Sequence, residues 1–448
     1  MARLRHLLDS ASMSIALDTA TADPRNLDPF MAVLREMMRG LASILPLPPA
    51  HSPAQQHANT QLSEAMRVGE PIEAGTLIAC TSGSTGTPKG AMLTADNLRA
   101  SADATAELLA DTFGPQTVPG AWLLTVPPHH IAGLQVILRS LAAGFEPLVA
   151  RHLQDEASFS AAGFIADTEH LRATYPDACL YTSLVPAQLE RIAADPQAVD
   201  ALISYSAVLV GGAAARGDLL AELREAGARL VTTYGSSETA GGAVYDGRAL
   251  PGVRLFVDAT LPDQPGRIHI LGPVVASGYR NVDSAEAFPS PGTFVTSDLG
   301  RLNNGTLEVL GRADGAINSG GYKILPEKVE RLISSHLRSA TCTSATGQPQ
   351  QLTFSGAVCA VGIPHPEFGQ AIGVAIESPE TPAPTDITDS VRGQLRGAPQ
   401  DASQAPIPRY LIPTMAIALP ELPTIGPGKV DRRAISDLLI ERSTPGLK

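Results

Sequence analysis

The segment Thr76-Leu-Ile-Ala-Cys-Thr81-Ser-Gly-Ser-Thr-Gly-Thr-Pro-Lys89-Gly90 places a short apolar run directly before a loop rich in glycine and hydroxyl groups. The run predicts a buried strand, and the pattern of Ala95–Leu109 predicts a helix after the loop. Glycine lets main-chain N–H groups approach an anion, and Lys89 adds a full positive charge. We therefore expect a triphosphate site rather than a flexible linker, made of Thr81, Ser82, Gly83, Ser84, Thr85, Gly86, Thr87 and Lys89. The loop is not a Walker A motif, because G-x-x-x-x-G-K-[ST] is not matched.

From Gly75 to about Ile270, apolar runs alternate with helical patterns. The predicted strands are Thr76–Cys80, Ala121–Val126, Ala178–Thr182, Ala207–Val210 and Arg229–Thr232. Alternation of strands with helices is typical of parallel sheets joined by crossover helices. The sequence therefore predicts an α/β fold.

The flanking segments are less regular. In residues 1–75, Phe30, Leu34 and Met37 lie at helical spacing, which predicts one or two amphipathic helices. Further along the chain, the pattern predicts short strands over 266–309, a helix over Pro326–Leu337 and a strand over Ala357–Gly362. It also predicts surface loops over Ser339–Gln351 and Ser378–Pro408, and the second loop encloses a helix near Ile387–Leu395. A change of pattern near Arg312–Asp314 predicts two domains, residues 1–313 and 314–448.

Composition and charge exclude several classes of protein. The chain has 448 residues, of which 44% are hydrophobic, so it is not globally disordered. A net charge of −12 argues against a nucleic-acid-binding surface. The four cysteines have no paired spacing, which indicates neither a disulfide framework nor a zinc cluster. Without an apolar stretch of ~20 residues or a secretory pattern, we expect a cytoplasmic protein with no membrane span. The sequence leaves monomer and homodimer open.

The phosphate loop and several later motifs resemble, in order, the signatures of the acyl-adenylate-forming superfamily. That superfamily includes acyl- and aryl-CoA ligases, luciferases and peptide-synthetase adenylation domains. The matching motifs are Thr81–Gly90, Tyr234–Thr239, Ser297-Asp298, Gly311–Asp314, Gly320–Ile324 and Gly428–Arg432. The resemblance implies a large N-terminal α/β domain with stacked sheets and a small α+β C-terminal domain that rotates about a hinge.

The resemblance also implies the chemistry. A carboxylate attacks the α-phosphorus of ATP, pyrophosphate leaves, and the acyl group then passes from AMP to the thiol of CoA. Negative charge builds on the phosphate oxygens, so Mg²⁺ and cationic side chains are needed. The expected cofactors are therefore ATP, Mg²⁺ and CoA.

Four residues of the second motif are implied to contact ATP. By resemblance, Glu238 holds Mg²⁺ and Thr239 donates a hydrogen bond to the α-phosphate. Tyr234 stacks against adenine, beside Gly235. A glutamate in such a Gly/Ser loop could instead be a solvated turn residue, but its place in an ordered set of motifs favours the functional interpretation.

The resemblance places two other pairs around the nucleotide. Asp298 would accept hydrogen bonds from the ribose hydroxyls, supported by Arg312. The alternative for Asp298 is a β-turn before Gly300. The backbone of Gly211 and Gly212 would line the adenine and acyl sites.

The C-terminal motifs are implied to serve both half-reactions. Lys429 is by resemblance the catalytic lysine that reaches the carboxylate and the α-phosphate, a role suited to a flexible point charge. Asp314 would be the hinge. Gly320 and Gly321 would line the tunnel for the pantetheine arm of CoA, and a plain hairpin turn is the alternative.

The segment Pro127–Gly133 resembles one wall of the acyl pocket. It implies that His130 is a catalytic and substrate-binding residue, while His129 replaces a residue that is more often aromatic. Arg139 lies nine residues beyond His130 in an otherwise apolar helix (Leu134–Ala143). It is either a surface residue or an anion receptor inside the pocket, and we favour the receptor.

An anion receptor indicates a substrate with a second carboxylate. The segments around Gly241, Gly242 and Leu250–Val253 resemble the o-succinylbenzoate–CoA ligases of menaquinone biosynthesis, and the two glycines would leave room for the aromatic dicarboxylic acid. The alternatives are another aryl- or acyl-CoA synthetase and a stand-alone adenylation enzyme that loads a carrier protein. A nucleotide-binding relative without catalysis is disfavoured, because Lys89 and the acidic and basic residues of the later motifs are all present.

Overall fold

A computed structural model describes residues 13–81, 88–114, 119–259, 264–343, 349–354, 357–397, 407–425 and 429–443. The chain divides into two compact units. Unit 1 comprises Met1–Phe256, Ile268–Thr296 and Leu302–Leu307, and unit 2 comprises Val257–Arg267, Ser297–Arg301 and Glu308–Lys448. The predicted α/β class is confirmed, whereas the domain bounds 1–313 and 314–448 and a rotation about Asp314 stay predictions.

Helices account for much of both units. In the described ranges they are α1 (Asp28–Met38), α2 (Pro53–Ala65), α3 (Ala95–Phe113), α4 (Ile131–Ala142), α5 (Arg151–Gln154), α6 (Ala161–Thr174), α7 (Pro186–Ala193), α8 (Pro196–Ile203), α9 (Gly217–Glu225), α10 (Pro326–His336), α11 (Thr388–Gly397) and α12 (Arg432–Ser443). None of these helices has the length and apolar character needed to cross a lipid bilayer.

The largest sheet of unit 1 has seven strands. In spatial order they are β13 (Arg248–Ala249), β12 (Gly241–Tyr245), β11 (Leu230–Ser236), β10 (Ala207–Val210), β9 (Cys179–Leu184), β7 (Gly120–Leu124) and β8 (Leu148–Val149). The five strands from β11 to β8 are parallel, and β12 and β13 continue the sheet antiparallel. Four of the five parallel strands were predicted, whereas β8 was not, and the predicted strand Thr76–Cys80 lies in another sheet. Buried Leu123, Leu180 and Val208 anchor a core that also takes apolar side chains from α6 to α9.

A second sheet of unit 1 carries the phosphate loop. Its strands are β2 (Asp18–Thr21), β3 (Ile44–Leu47), β5 (Thr76–Thr81) and β6 (Lys89–Thr94), and a separate pair is formed by β1 (Ser14–Ala16) and β4 (Pro71–Glu73). The prediction of helices alone over residues 1–75 is therefore wrong in part. Helix α1 is present and buries Phe30, Leu34 and Met37, but four short strands accompany it. These strands have only three or four residues each, too few for a clear alternation of polar and apolar side chains.

A third sheet follows in the chain, as predicted for the region of short strands. Its order is β14 (Arg254–Asp258), β15 (Gly266–Leu271), β16 (Thr293–Asn303) and β17 (Thr306–Arg312). Asp298 lies in the middle of β16, so the alternative that placed it in a β-turn is wrong.

Unit 2 contains a six-stranded sheet and two small hairpins. The sheet consists of β18 (Ile317–Ser319), β19 (Tyr322–Ile324), β22 (Val358–His365), β23 (Gly369–Glu377), β24 (Thr385–Asp386) and β25 (Met415–Leu419), and the hairpins pair β20 (Ser339–Thr343) with β21 (Pro349–Thr353) and β26 (Thr424–Ile425) with β27 (Lys429–Val430). The predicted loop over Ser339–Gln351 is wrong, because its two ends pair as antiparallel strands. Its polar composition concealed them.

Candidate active site

Three predicted motifs of unit 1 lie where strands of the seven-stranded sheet end. Gly211 and Gly212 directly follow β10, the Glu238 motif continues from β11, and the two histidines come soon after β7. Parallel strands end at the same edge of a sheet, and ligands of open α/β sheets bind at that carboxyl edge. The sheet therefore collects motifs that are more than a hundred residues apart in sequence.

The ends of the phosphate loop are held by strand pairing. Thr81 at the end of β5 pairs with Lys89 at the start of β6, and the Nζ of Lys89 lies 5.2 Å from the centre of the Tyr279 ring. The predicted phosphate ligands Ser82 to Thr87 lie outside the described residues. The pairing fixes where this loop leaves and rejoins the sheet.

Glu238 is a buried carboxylate that has no basic partner in the described part of the chain. Its side chain is 7% exposed, and its Oε1 accepts a hydrogen bond of 2.7 Å from the hydroxyl of Tyr279. Among the described residues it forms no ion pair, and Oε2 has no hydrogen-bond partner. Burying an unpaired carboxylate is costly, so the site is suited to a cation.

The turn after Glu238 is strained and tightly held. Thr239 is completely buried, and its hydroxyl donates to the carbonyl of Gly241 (2.7 Å) and accepts from the Ser236 N–H (3.0 Å). Ala240 has a φ of 53°, in the left-handed region that non-glycine residues rarely occupy. The turn reverses the chain from β11 into β12.

Two helices hold that turn from the other side. The carbonyl of Ala240 accepts hydrogen bonds from Ser101 Oγ on α3 (3.2 Å) and from Gln135 Nε2 on α4 (2.9 Å), and both side chains are buried. A strained backbone conformation persists where the contacts around it hold it in place, and such conformations are concentrated at functional sites.

Gly235 is required by close packing of the same turn. A Cβ at Gly235 would collide with the carbonyl oxygen of Gly241. The pairing of β11 with β12 shifts register between Tyr234 and Gly235, and Tyr234 is half-buried at that point. The predicted adenine contact of Tyr234 stays a prediction.

Arg139 is a buried cation with no acidic partner among the described residues. It lies on α4 and is 8% exposed; its Nη2 donates to the Tyr245 hydroxyl (3.3 Å), and its guanidinium carbon lies 5.7 Å from the centre of the Trp122 ring. Its Nε is buried without a hydrogen-bond acceptor. An arginine in these surroundings is suited to bind an anion between aromatic walls.

The rings of His129 and His130 contact each other before α4, with ring centres 4.2 Å apart and ring planes tilted by 44°. Burial, followed by repulsion from His130, lowers the pKa of His129 to about 3, and burial also lowers the pKa of His130. Both rings are therefore neutral at pH 7. The Nδ1 of His129 is buried without a partner.

Unit 2 holds the predicted ribose and hinge residues. The guanidinium of Arg312 at the end of β17 binds both carboxylate oxygens of Asp314, at 2.9 and 2.6 Å. The backbone N–H of Ala313 donates to the carbonyl of Ser297, next to half-buried Asp298. Arg312 and Asp314 are thus paired with each other, while a ribose contact and a hinge role stay predictions.

The remaining predicted residues of unit 2 lie in two hairpins. Gly320 and Gly321, with φ of 55° and 86°, form the two-residue turn between β18 and β19. This is the hairpin of the alternative interpretation, and the CoA tunnel stays a prediction. Lys429 begins β27, and its side chain lies outside the described part of the chain.

The structure adds residues to the site that sequence reasoning missed. Tyr279 contacts Glu238 from 41 residues further along the chain, and nothing in its local sequence indicates this. Gln135 and Tyr245 contact Ala240 and Arg139 respectively. Gln135 precedes Arg139 by one helical turn, so the i, i+4 spacing was a signal that could have identified it.

Comparison with known proteins gives a consistent result. The model of the family described as AMP-binding enzyme matches residues 1–280. The chain is 40% identical over 376 residues to a probable 2-succinylbenzoate–CoA ligase from Mycobacterium tuberculosis, covering 83% of this chain and 86% of the relative. It is 32% identical over 265 residues to the 2-succinylbenzoate–CoA ligase of Escherichia coli, covering 57% and 52%.

Solved structures agree on the fold. The o-succinylbenzoate CoA synthetase from Bacillus subtilis in complex with the acyl-adenylate OSB-AMP matches with a TM-score of 0.64 and 23% identity, covering 91% of this chain and 81% of that one. The same enzyme in complex with ATP and magnesium matches with a TM-score of 0.61 and 22% identity, covering 97% and 81%.

We predict that replacing His129 makes the free energy of unfolding of unit 1 depend less steeply on pH below pH 7. In the unfolded chain His129 binds a proton as the pH falls below about 6.5, whereas in the folded chain, where its pKa is about 3, it stays neutral until about pH 3. Between these pH values the contribution of His129 to the free energy of unfolding therefore decreases by about 1.4 kcal/mol for each pH unit of acidification. His129→Asn should remove that part of the slope. Urea unfolding at pH 7, 6 and 5, followed by fluorescence of Trp122, the only tryptophan, measures it.

Tyr205→Phe is the matched control for His129→Asn. It removes a buried hydroxyl of the same unit but no group that titrates in this pH range, so its slope should stay parallel to that of the wild type. A His129→Asn variant that also stays parallel to the wild type would show that His129 is protonated alike in both states.

Proposed function

This chain belongs to the AMP-binding enzyme family, and we propose that it is an ATP-dependent acid–CoA ligase that activates o-succinylbenzoate. The observation that supports this substrate is the buried guanidinium of Arg139, which has no carboxylate partner among the described residues. A dicarboxylic acid has one carboxylate to activate and a second one for this arginine to bind.

In the first half-reaction, a carboxylate oxygen of the acid attacks the α-phosphorus of ATP and pyrophosphate leaves. The product is an acyl-AMP. Lys89 and the phosphate loop bind the phosphates, and the Thr239 hydroxyl bonds the α-phosphate once it exchanges its partner within the turn. Positioned donors and cations of this kind stabilise the charge that develops on the phosphate oxygens.

The residues around Glu238 fit Mg²⁺. This ion prefers oxygen ligands and is commonly held by one or two carboxylates together with substrate phosphates and water. Glu238 offers a carboxylate oxygen, Oε2, that has no partner among the described residues, while Tyr279 occupies Oε1. When bound, Mg²⁺ neutralises charge on the phosphates, and Glu238 is the residue of this chain that would hold it.

In the second half-reaction, the thiol of CoA attacks the acyl carbonyl and AMP leaves with the bonding electron pair. Gly320 and Gly321 offer a turn without side chains along which a pantetheine arm can pass. Lys429 serves the first half-reaction. Rotation about Asp314 then removes Lys429 from the reacting groups and brings the turn of Gly320 and Gly321 in its place.

The surroundings of Arg139 suit an aromatic acid. Trp122 lies against the guanidinium and stacks on Tyr181 with ring centres 5.0 Å apart, and the Tyr245 hydroxyl accepts a hydrogen bond from the guanidinium. A substrate carboxylate that pairs with Arg139 would satisfy its orphaned Nε–H.

We predict acid-dependent ATP–pyrophosphate exchange with o-succinylbenzoate. The rate should exceed that with benzoate or 4-phenylbutyrate at least tenfold, because these acids lack the second carboxylate, and a charge-assisted hydrogen bond contributes about 1.5–3 kcal/mol. Exchange is measured with labelled pyrophosphate, and thioester formation with CoA is followed by mass spectrometry. Equal rates for mono- and dicarboxylic acids would assign the chain to another acyl- or aryl-CoA ligase.

Lys429→Ala should lower the adenylation rate by roughly 10²-fold or more, as for loss of one transition-state donor. Transfer of synthetic acyl-AMP to CoA should be largely retained. Single-turnover assays of each half-reaction measure the two rates. Lys328→Ala, a change of an exposed lysine on α10 of unit 2, is the control for loss of charge. Equal damage to both half-reactions by Lys429→Ala would refute its role.

Arg139→Ala should raise the KM for the dicarboxylic acid roughly tenfold or more and leave the KM for ATP unchanged. Because Trp122 is the only tryptophan and lies beside Arg139, binding of the acid should also change its fluorescence in the wild type. Arg191→Ala removes another arginine of unit 1, whose guanidinium donates to the Phe159 carbonyl, and should preserve both signals. An unchanged KM for the acid in Arg139→Ala would place Arg139 outside the pocket.

A further inference from the structure

The segment Tyr279-Arg280-Asn281 contacts both parts of the candidate ATP site in unit 1. It lies before β16, and none of its residues belongs to the motifs that identified the family. It reaches Glu238 on one side and the rejoining end of the phosphate loop on the other.

Tyr279 is the contact to Glu238. Its hydroxyl donates to Glu238 Oε1 at 2.7 Å, both side chains are buried, and the Tyr279 ring packs edge-on against Phe288 with ring centres 5.1 Å apart. The Nζ of Lys89 lies over the same ring. One side chain thus bonds the carboxylate and contacts the lysine.

Asn281 is the contact to the phosphate loop. Its Oδ1 accepts from the Gly90 N–H at 3.1 Å, and its Nδ2 donates to the Pro88 carbonyl at 2.8 Å. The amide therefore bonds the backbone on both sides of Lys89, which fixes the point from which the lysine side chain extends.

Arg280 immobilises the segment. Its side chain is 10% exposed and its guanidinium donates to the carbonyls of Met66, Arg67, Glu70 and Pro71. Its own N–H donates to the Gly90 carbonyl at 2.8 Å. The contacts of Tyr279 and Asn281 thus start from a fixed backbone.

We propose that Tyr279 and Asn281 are positioning residues that set the distance between Glu238 and Lys89 for binding of ATP with its metal ion. Tyr279 holds one oxygen of Glu238, so that the other is presented to Mg²⁺, and Asn281 holds the backbone that carries Lys89. This inference rests on the proposed function, because it needs ATP and Mg²⁺ at this site.

The two residues have different expected signatures. Loss of the Tyr279 hydroxyl frees the Glu238 carboxylate to rotate, which affects only the metal-dependent part of nucleotide binding. Loss of the Asn281 amide loosens the loop end, which affects the contact with phosphate whether or not the metal is present.

The test is binding of an ATP analogue with a methylene bridge between the α- and β-phosphorus, measured by titration calorimetry over a range of Mg²⁺ concentrations. Tyr279→Phe keeps the ring and removes the hydroxyl. We expect the half-saturating Mg²⁺ concentration to rise roughly tenfold, the size expected for loss of one hydrogen bond to a charged group, with unchanged affinity in EDTA. Asn281→Ala should weaken the analogue roughly three- to tenfold in both conditions.

Matched controls exist for both variants. Tyr205→Phe removes a buried tyrosine hydroxyl that bonds Thr168 at 2.9 Å, and Asn59→Ala removes an amide that donates to the Pro48 carbonyl at 2.9 Å, both in unit 1. Both controls should bind the analogue as the wild type does. Melting curves without ligand check that each variant and its control are folded to the same extent.

The outcomes separate the two proposals. If the wild type shows Mg²⁺-dependent binding and Tyr279→Phe has the same Mg²⁺ dependence, the positioning role of Tyr279 is wrong while the proposed function stands. If Asn281→Ala binds as Asn59→Ala does, the role of Asn281 is wrong. A wild type that neither binds the analogue nor exchanges pyrophosphate with any acid overturns both proposals.

Discussion

The carbonyl of Ala240 accepts hydrogen bonds from two buried side chains, Ser101 and Gln135, and the candidate site in unit 1 depends on this arrangement. A left-handed alanine costs about 1–2 kcal/mol, and two buried hydrogen bonds of about 1 kcal/mol each are enough to offset it. The turn so stabilised places Glu238 and Thr239 at its start and Gly241 at its end. It also connects α3 and α4 to strands β11 and β12, so helix packing and site geometry are a single constraint.

The same site contains two buried charges of opposite sign, Glu238 and Arg139, that do not pair with each other or with any other described charged residue. Buried charges without partners lower the stability of the folded chain. They are therefore expected where a ligand completes them, and the ligands of the proposed reaction have complementary charge. The proposed acid–CoA ligase reaction provides both, a metal-bound phosphate beside Glu238 and a free carboxylate beside Arg139.

Much of unit 1 was predictable because its strands are continuous apolar runs between helices, as in Ala207–Val210, whose predicted and observed bounds agree. Helix α3 was predictable from another local signal, because Thr94 and Asn97 cap its start reciprocally. The short strands before residue 75 and the polar hairpin over 339–353 were not predictable. Their pairing depends on partner strands, and their own residues show neither alternation nor a strong apolar run.

The sequence by itself determined which charged residues and glycines are available for the predicted phosphate site, because charge and backbone freedom belong to each residue and its immediate neighbours. Only the tertiary structure decided that Tyr279 bonds Glu238 across 41 residues and that Asn281 bonds Gly90 across 191. Such contacts arise where sheets and helices bring distant segments together, and a side chain has no local signal for a partner that folding supplies. The same holds for Arg139. Its sequence context allowed either a surface position or a position in the pocket, and its burial beside Trp122 and Tyr245 results from the packing of α4.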